Sequence, residues 1–214
     1  ATGVSELWRM NWDGSGKTQL TDLETLGKQI GTFDVDTCTG QVTITIQSSS
    51  SGSSSDVYVA DTSVLAGLPG TATQLSNDSD SDNLVRFSPD GTKVAYYKRS
   101  GVGDPTDIYI ANADGTGEYA VTAAGPTEHY SSPVWSPDGT QLACAYSDGT
   151  NWDIIIVDLG TKGVGSFSNI TNTPDYDERP GDWALPANDS LYLGKPEYAT
   201  SLNPYTLAYP IYLS

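Results

Sequence analysis

The string Val85-Arg86-Phe87-Ser88-Pro89-Asp90-Gly91-Thr92 returns as Pro133-Val134-Trp135-Ser136-Pro137-Asp138-Gly139-Thr140. A chain that repeats at the length of a supersecondary unit folds as a series of such units, and no other sequence feature constrains the fold as much. Each copy is followed by an apolar run, residues 94–97 and 142–146. The Ser-Pro-Asp-Gly-Thr link between them has the chemistry of a tight hairpin. Proline presets φ, aspartate tolerates the second turn position, and glycine takes the left-handed one.

Two further sets of matches follow in step. Asp56-Val57-Tyr58-Val59-Ala60, Asp107-Ile108-Tyr109-Ile110-Ala111 and Asp153-Ile154-Ile155-Ile156-Val157 are nearly continuous apolar strands, as expected where both faces are buried. Glu6-Leu7-Trp8-Arg9-Met10 carries the same pattern near the N-terminus. Gln19-Leu20-Thr21, Gln74-Leu75-Ser76, Ala120-Val121-Thr122 and Asn169-Ile170-Thr171 close each unit. With strands of a unit named a to d, the a strands centre on Phe33, Phe87, Trp135 and Trp183, and the last b strand falls at residues 191–193. The chain then starts with c and d and ends with a and b. This predicts an all-β, four-bladed β-propeller over residues 1–196, its last blade closed by the N-terminal strands, or else half of a larger, dimeric propeller. Residues 197–214 are surplus and read as an extra edge strand or a docking arm.

The strand-and-turn signature Asp107-Ile108-Tyr109-Ile110-Ala111-Asn112-Ala113-Asp114-Gly115-Thr116-Gly117, with Trp135-Ser136-Pro137-Asp138-Gly139-Thr140, resembles the repeat of TolB-type (WD40-like) β-propellers. Glu6-Leu7-Trp8-Arg9-Met10-Asn11-Trp12-Asp13-Gly14-Ser15-Gly16 repeats it. The resemblance covers residues 6–193. It implies a blade architecture shared by periplasmic TolB, the propeller domains of prolyl-oligopeptidase-type peptidases and oligogalacturonate lyases. It carries over no catalytic residue. The peptidases need a Gly-x-Ser-x-Gly elbow, which Gly163-Val164-Gly165-Ser166 does not supply. The lyases hold their metal with a histidine cluster, and this chain has His129 alone.

Twenty-seven acidic residues against ten basic ones give a net charge of −17. No basic stripe exists to neutralise phosphates, which argues against nucleic acid and against anionic lipid. No apolar run approaches the roughly 18 residues of a membrane helix. Few lysines and many Ser, Thr, Asn and Gly suit a secreted or periplasmic setting, and Ala1-Thr2-Gly3 suits a processed terminus. Cys38 and Cys144 fall in units too far apart for a disulfide, so Cys144 is expected in the core and Cys38 as a partly exposed thiol.

The d–a loops gather acidic residues: Asp22, Glu24, Asp78, Asp80, Asp82, Glu128, Asp175, Asp177, Glu178 and Asp182. Beside them lie His129, Tyr130 and Tyr176. The residues expected to contact a partner are Glu128, His129, Tyr130, Tyr176, Asp177 and Glu178. Asp80, Asp82 and Asp177 are the candidate ligands of a hard cation such as calcium, which takes six to eight oxygens. Trp12 in the c–d turn and Trp152 in the b–c loop are expected away from this mouth. Together these features predict a non-catalytic module that binds a protein, with a basic partner favoured by the acidic loops. The alternative is a carbohydrate-binding or polysaccharide-lyase-like protein with a divalent metal at the channel mouth. A structural subunit whose tail docks into a neighbour is the third reading.

Overall fold

The computed structural model describes residues 4–36, 38–48, 54–77, 79–99, 101, 103–160, 163–174, 176–184 and 206–208. Three four-stranded antiparallel sheets follow one another along the chain. Blade 1 is β3 (Lys28–Asp36), β4 (Gln41–Ser48), β5 (Ser55–Asp61) and β6 (Thr73–Gln74). Blade 2 is β7 (Asn83–Phe87), β8 (Lys93–Lys98), β9 (Asp107–Asn112) and β10 (Tyr119–Ala120). Blade 3 is β11 (His129–Trp135), β12 (Gln141–Ser147), β13 (Trp152–Asp158) and β14 (Phe167–Asn169). In each, the strands run a-b-c-d in space as in sequence.

The hairpins form as their residues dictate. Gly91 and Gly139 adopt φ of 68° and 69°, and their amides donate to the Ser88 and Ser136 carbonyls at 2.9 and 2.8 Å. Asp90 Oδ1 accepts from Ser88 Oγ at 2.6 Å and from the Thr92 amide at 3.1 Å. Those bonds, Ser88's foremost, hold the Asp90 carboxyl down at about 2. Asp138 does the same for Ser136 and Thr140.

The continuous apolar runs are explained by cores on both faces of each sheet. Leu7 and Leu23 pack with Ile30, Ile44, Ile46, Tyr58 and Ala60 on one side of blade 1. Val57 and Val59, alternating with Tyr58 and Ala60 on the same strand, face the other way and meet Val85, Phe87, Val94 and Tyr96 of blade 2. Ala95, Ile108 and Ile110 of blade 2 then meet Tyr130, Trp135, Leu142, Cys144 and Ile155 of blade 3. Cys144 is a fully buried free thiol and Cys38 an exposed one, as expected.

In three of the four repeats the acidic residue that opens the c strand is a fastener. Asp107 Oδ1 accepts from Thr122 Oγ1 and the Ala124 amide, each at 2.8 Å. Thr122 Oγ1 in turn accepts the Ile108 amide at 2.9 Å. Glu6 with Thr21, and Asp153 with the Thr171–Thr173 segment, repeat the arrangement. Ser76 Oγ takes the Val57 amide in blade 1.

Two expectations change. Each a–b pair has a register shift: between Ile30 and Phe33, between Asn83 and Arg86, and between Ser131 and Val134. The b–c pairing makes Val42, Val94 and Leu142 equivalent, so the counterpart of Phe87 and Trp135 is their strand-a partner Val35 rather than Phe33, which is 49% exposed. The ring closure is the second. The N-terminal pair β1 (Trp8–Arg9) and β2 (Thr18–Gln19) forms its own two-stranded sheet, and β15 (Asp182–Ala184) pairs with β16 (Thr206–Ala208). Among the described residues these half-blades share no sheet. One packs on blade 1 through Leu7 and Leu23, and the other joins blade 3 through Trp183. The partner of β15 thus comes from the tail, while residues 191–193 lie outside the described residues.

Candidate binding face

Antiparallel strands alternate direction, so b–c and d–a connections emerge at the same end of a blade and a–b and c–d hairpins at the other. Trp152 therefore shares its end with residues 176–179, contrary to the expectation that it lies away from them. His129, Ser147 and Trp152 form one row across blade 3. The His129 and Trp152 rings are 6.3 Å apart. Residues 177–179 cross this row: Asp177 Oδ1 accepts the Trp152 amide at 3.0 Å, and the Glu178 amide donates to the Trp152 carbonyl at 2.7 Å. The Arg179 guanidinium lies 4.3 Å over the Trp152 ring and donates to Ser131 Oγ at 3.1 Å. Tyr176 stands 64% exposed beside them. Trp12, fully exposed, belongs to the opposite end, as expected.

Three candidates occupy one position in three successive repeats. The amides of Asp82, Tyr130 and Glu178 donate to the Ser55, Thr106 and Trp152 carbonyls at 2.9, 2.9 and 2.7 Å. Each joins the strand a that it leads into to the start of strand c in the preceding blade. Asp82 is completely buried and Tyr130 is 2% exposed. Tyr130 is therefore a core ring against Tyr146 and Phe167 rather than a loop aromatic. Burial first, and then the nearby Glu128 charge, hold its hydroxyl far above the usual phenol range. Glu128 is itself occupied, accepting the Gly125 amide at 2.6 Å and the Tyr146 hydroxyl at 3.0 Å. Burial, then that bond, push Tyr146 up to about 12.

The proposed cation ligands do not converge. Asp82 bonds at the joint between blades 1 and 2, and Asp177 accepts the Trp152 amide of blade 3. Among the described residues no three His, Cys, Asp or Glu side chains form a group that could hold a metal ion. Asp78 and Asp175 lie outside the described residues.

What the sequence reading missed is Arg179 and, with it, Arg86. Both line a cleft of about 510 Å³ formed by β7, β11 and residues 177–180. Two of its residues, Leu84 and Ser132, adopt φ of 53° and 52° at equivalent bulges, a region uncommon for side chains other than glycine. The only advance signal was the alternation of strand direction, which brings the b–c and d–a loops together.

No family model matches the chain. A curated relative, the Tol-Pal system protein TolB of Mannheimia succiniciproducens, is 32% identical over 80 residues, covering 36% of this chain and 18% of that protein. Among solved structures, TolB of Acinetobacter baumannii superposes with a TM-score of 0.60 at 21% identity, over 82% of this chain and 39% of that one. An oligogalacturonate lyase in complex with manganese gives 0.61 at 14% identity, over 85% and 50%. The chain thus spans well under two thirds of each. No described helix is long and apolar enough to cross a membrane. The chain is built from TolB-like β-propeller repeats.

Proposed function

We propose that the chain is a non-catalytic, protein-binding module of a secreted or periplasmic protein, and that its partner docks where the b–c and d–a loops of blade 3 meet. The observation that carries this reading is the Arg179 guanidinium stacked 4.3 Å over Trp152, with Tyr176 exposed alongside. Trp, Tyr and Arg dominate binding energy at protein interfaces, because they bury large rigid areas while keeping a polar handle. A guanidinium held over an indole is already ordered, so a partner loses less entropy in engaging it. The likeness to a protein named for the Tol-Pal system supports protein binding in the same coarse sense.

The test is capture of a partner from a secreted or periplasmic extract by the immobilised chain. Wild type and Trp12→Ala, altered on the opposite end, retain the partner. Trp152→Ala and Arg179→Ala weaken the dissociation constant by roughly 30-fold, the effect of losing about 2 kcal/mol at an anchor. Equal capture by all four forms places the partner elsewhere, and capture by none removes the reading.

A further inference from the structure

The chain has ten basic residues in 214, only four of them arginines. Two of the four, Arg86 and Arg179, line the same cleft of about 510 Å³ beside the inner strands β7 and β11. Each uses part of its donor fork internally: Arg86 Nη1 donates to the Val85 carbonyl at 2.9 Å, and Arg179 Nη1 to Ser131 Oγ at 3.1 Å. Neither forms an ion pair with a carboxylate among the described residues. The neighbouring acid, Asp177, has one carboxylate oxygen turned to the Trp152 amide. Apart from Ser132, the rest of the wall is apolar: Leu84, Pro133, Val134 and Pro180.

What sets these two guanidinium groups apart in a chain of charge −17 is that they share one cleft, with no carboxylate paired to either among the described residues. A guanidinium has five N–H donors in a planar fork that matches a carboxylate. The apolar wall favours a ligand that sets hydrocarbon side chains beside its acids, which is a peptide rather than a sugar. We infer that this cleft receives an acidic peptide segment of the partner, its carboxylates on Arg86 and Arg179 and its apolar side chains on Leu84, Val134 and Pro180. The inference rests on the protein-binding reading above and reverses the basic partner charge that the acidic loops suggested.

The test titrates the chain by calorimetry with capped hexapeptides of alternating leucine and glutamate, leucine and glutamine, or leucine and lysine, and with a uronic-acid trisaccharide. The glutamate peptide is expected to bind at least about tenfold tighter than the others, as charge-assisted hydrogen bonds require, and to weaken as salt is raised. Arg86→Gln and Arg179→Gln each lose about tenfold, while the Lys variants at the same positions lose less. Unchanged melting temperatures separate these losses from unfolding. Glutamine or lysine peptides that bind as well as glutamate, or Arg variants without effect, overturn the inference. Binding of the trisaccharide alone replaces the peptide with an acidic sugar and overturns it too. If no peptide binds but Trp152-dependent partner capture persists, the carboxylate inference falls and the docking face stands. If capture also fails, both fall.

Discussion

Trp183 donates its indole N–H to the Val134 carbonyl at 3.0 Å, and Trp135 donates in the same way to Arg86 one blade earlier at 3.2 Å. The preceding joint links the same pair of positions with main chain and side chain exchanged: the Phe87 amide donates to Asp34 Oδ2 at 2.9 Å. Phenylalanine has no polar hydrogen to offer, so its neighbour supplies the acceptor. Trp183→Phe and Trp135→Phe are each expected to cost about 1–3 kcal/mol, because an inner-strand carbonyl loses its partner. Denaturant unfolding measures this, and an unchanged midpoint for both would show the indole bonds to be idle.

The c-strand carboxylates predict a graded loss. Asp107→Ala leaves Thr122 Oγ1 and the Ala124 amide without their acceptor, at about 1–3 kcal/mol. Asp107→Asn keeps a carbonyl oxygen in place and loses less. Equal destabilisation by the two variants would assign the effect to charge rather than to the hydrogen bonds.

Acid sensitivity follows from the turns. Asp13, Asp36, Asp61, Asp114, Asp138 and Asp148 are all held below the usual carboxylate value, chiefly by side-chain hydrogen bonds from nearby Ser or Thr, and Asp90 is held at about 2. Since folded values lie below unfolded ones, the unfolded chain binds more protons in this range. The contribution is full above about pH 4 and is lost as pH falls toward 2. Asp90→Asn with Asp138→Asn is expected to flatten that slope in melts recorded between those limits, and a slope unaltered by the pair would place the titration elsewhere.

The two thiols are predicted to differ in reactivity. Burial pushes Cys144 far above the ordinary thiol range, while Cys38 is exposed. A thiol reagent at neutral pH labels Cys38 alone, and Cys144 reacts only on unfolding. Equal labelling rates in the native chain would contradict the packing of blade 3.

Calcium is expected to leave stability unchanged, since Asp82 and Asp177 serve different blade joints. A ligand at a hundred times its dissociation constant adds about 2.7 kcal/mol. A rise in melting temperature of about 5–10 °C over EDTA would therefore reveal a site that Asp80, Asp82 and Asp177 do not form together.

How much of this was legible in the sequence depended on distance along the chain. The Ser88–Thr92 and Ser136–Thr140 turns read directly, because their hydrogen bonds close within five residues. The apolar strands read as doubly buried for a similar reason: Val57, Tyr58, Val59 and Ala60 show both faces in consecutive positions. Asp107 read only as part of a motif, since the hydroxyl that it fastens is 15 positions away. The lack of a Ser-Pro-Asp-Gly turn in the first repeat hid the equivalence of Val35 and Phe87. Asp82, Tyr130 and Glu178 differ in side chain but share a main-chain role, so chemistry alone could not group them. Trp152 was misplaced because strand direction had been counted for the a and d strands but not for b and c.

The carboxylate fastener at the head of three c strands also bears on how such an array can change over time. Its acid, its hydroxyl and the amides that they satisfy all come from one stretch of a single repeat. A copied repeat therefore arrives with its own closure, and a deleted one removes no partner from its neighbours' fasteners. Lengthening or shortening the array by whole cassettes then asks new compatibility only of the face between sheets, where aliphatic and aromatic side chains meet.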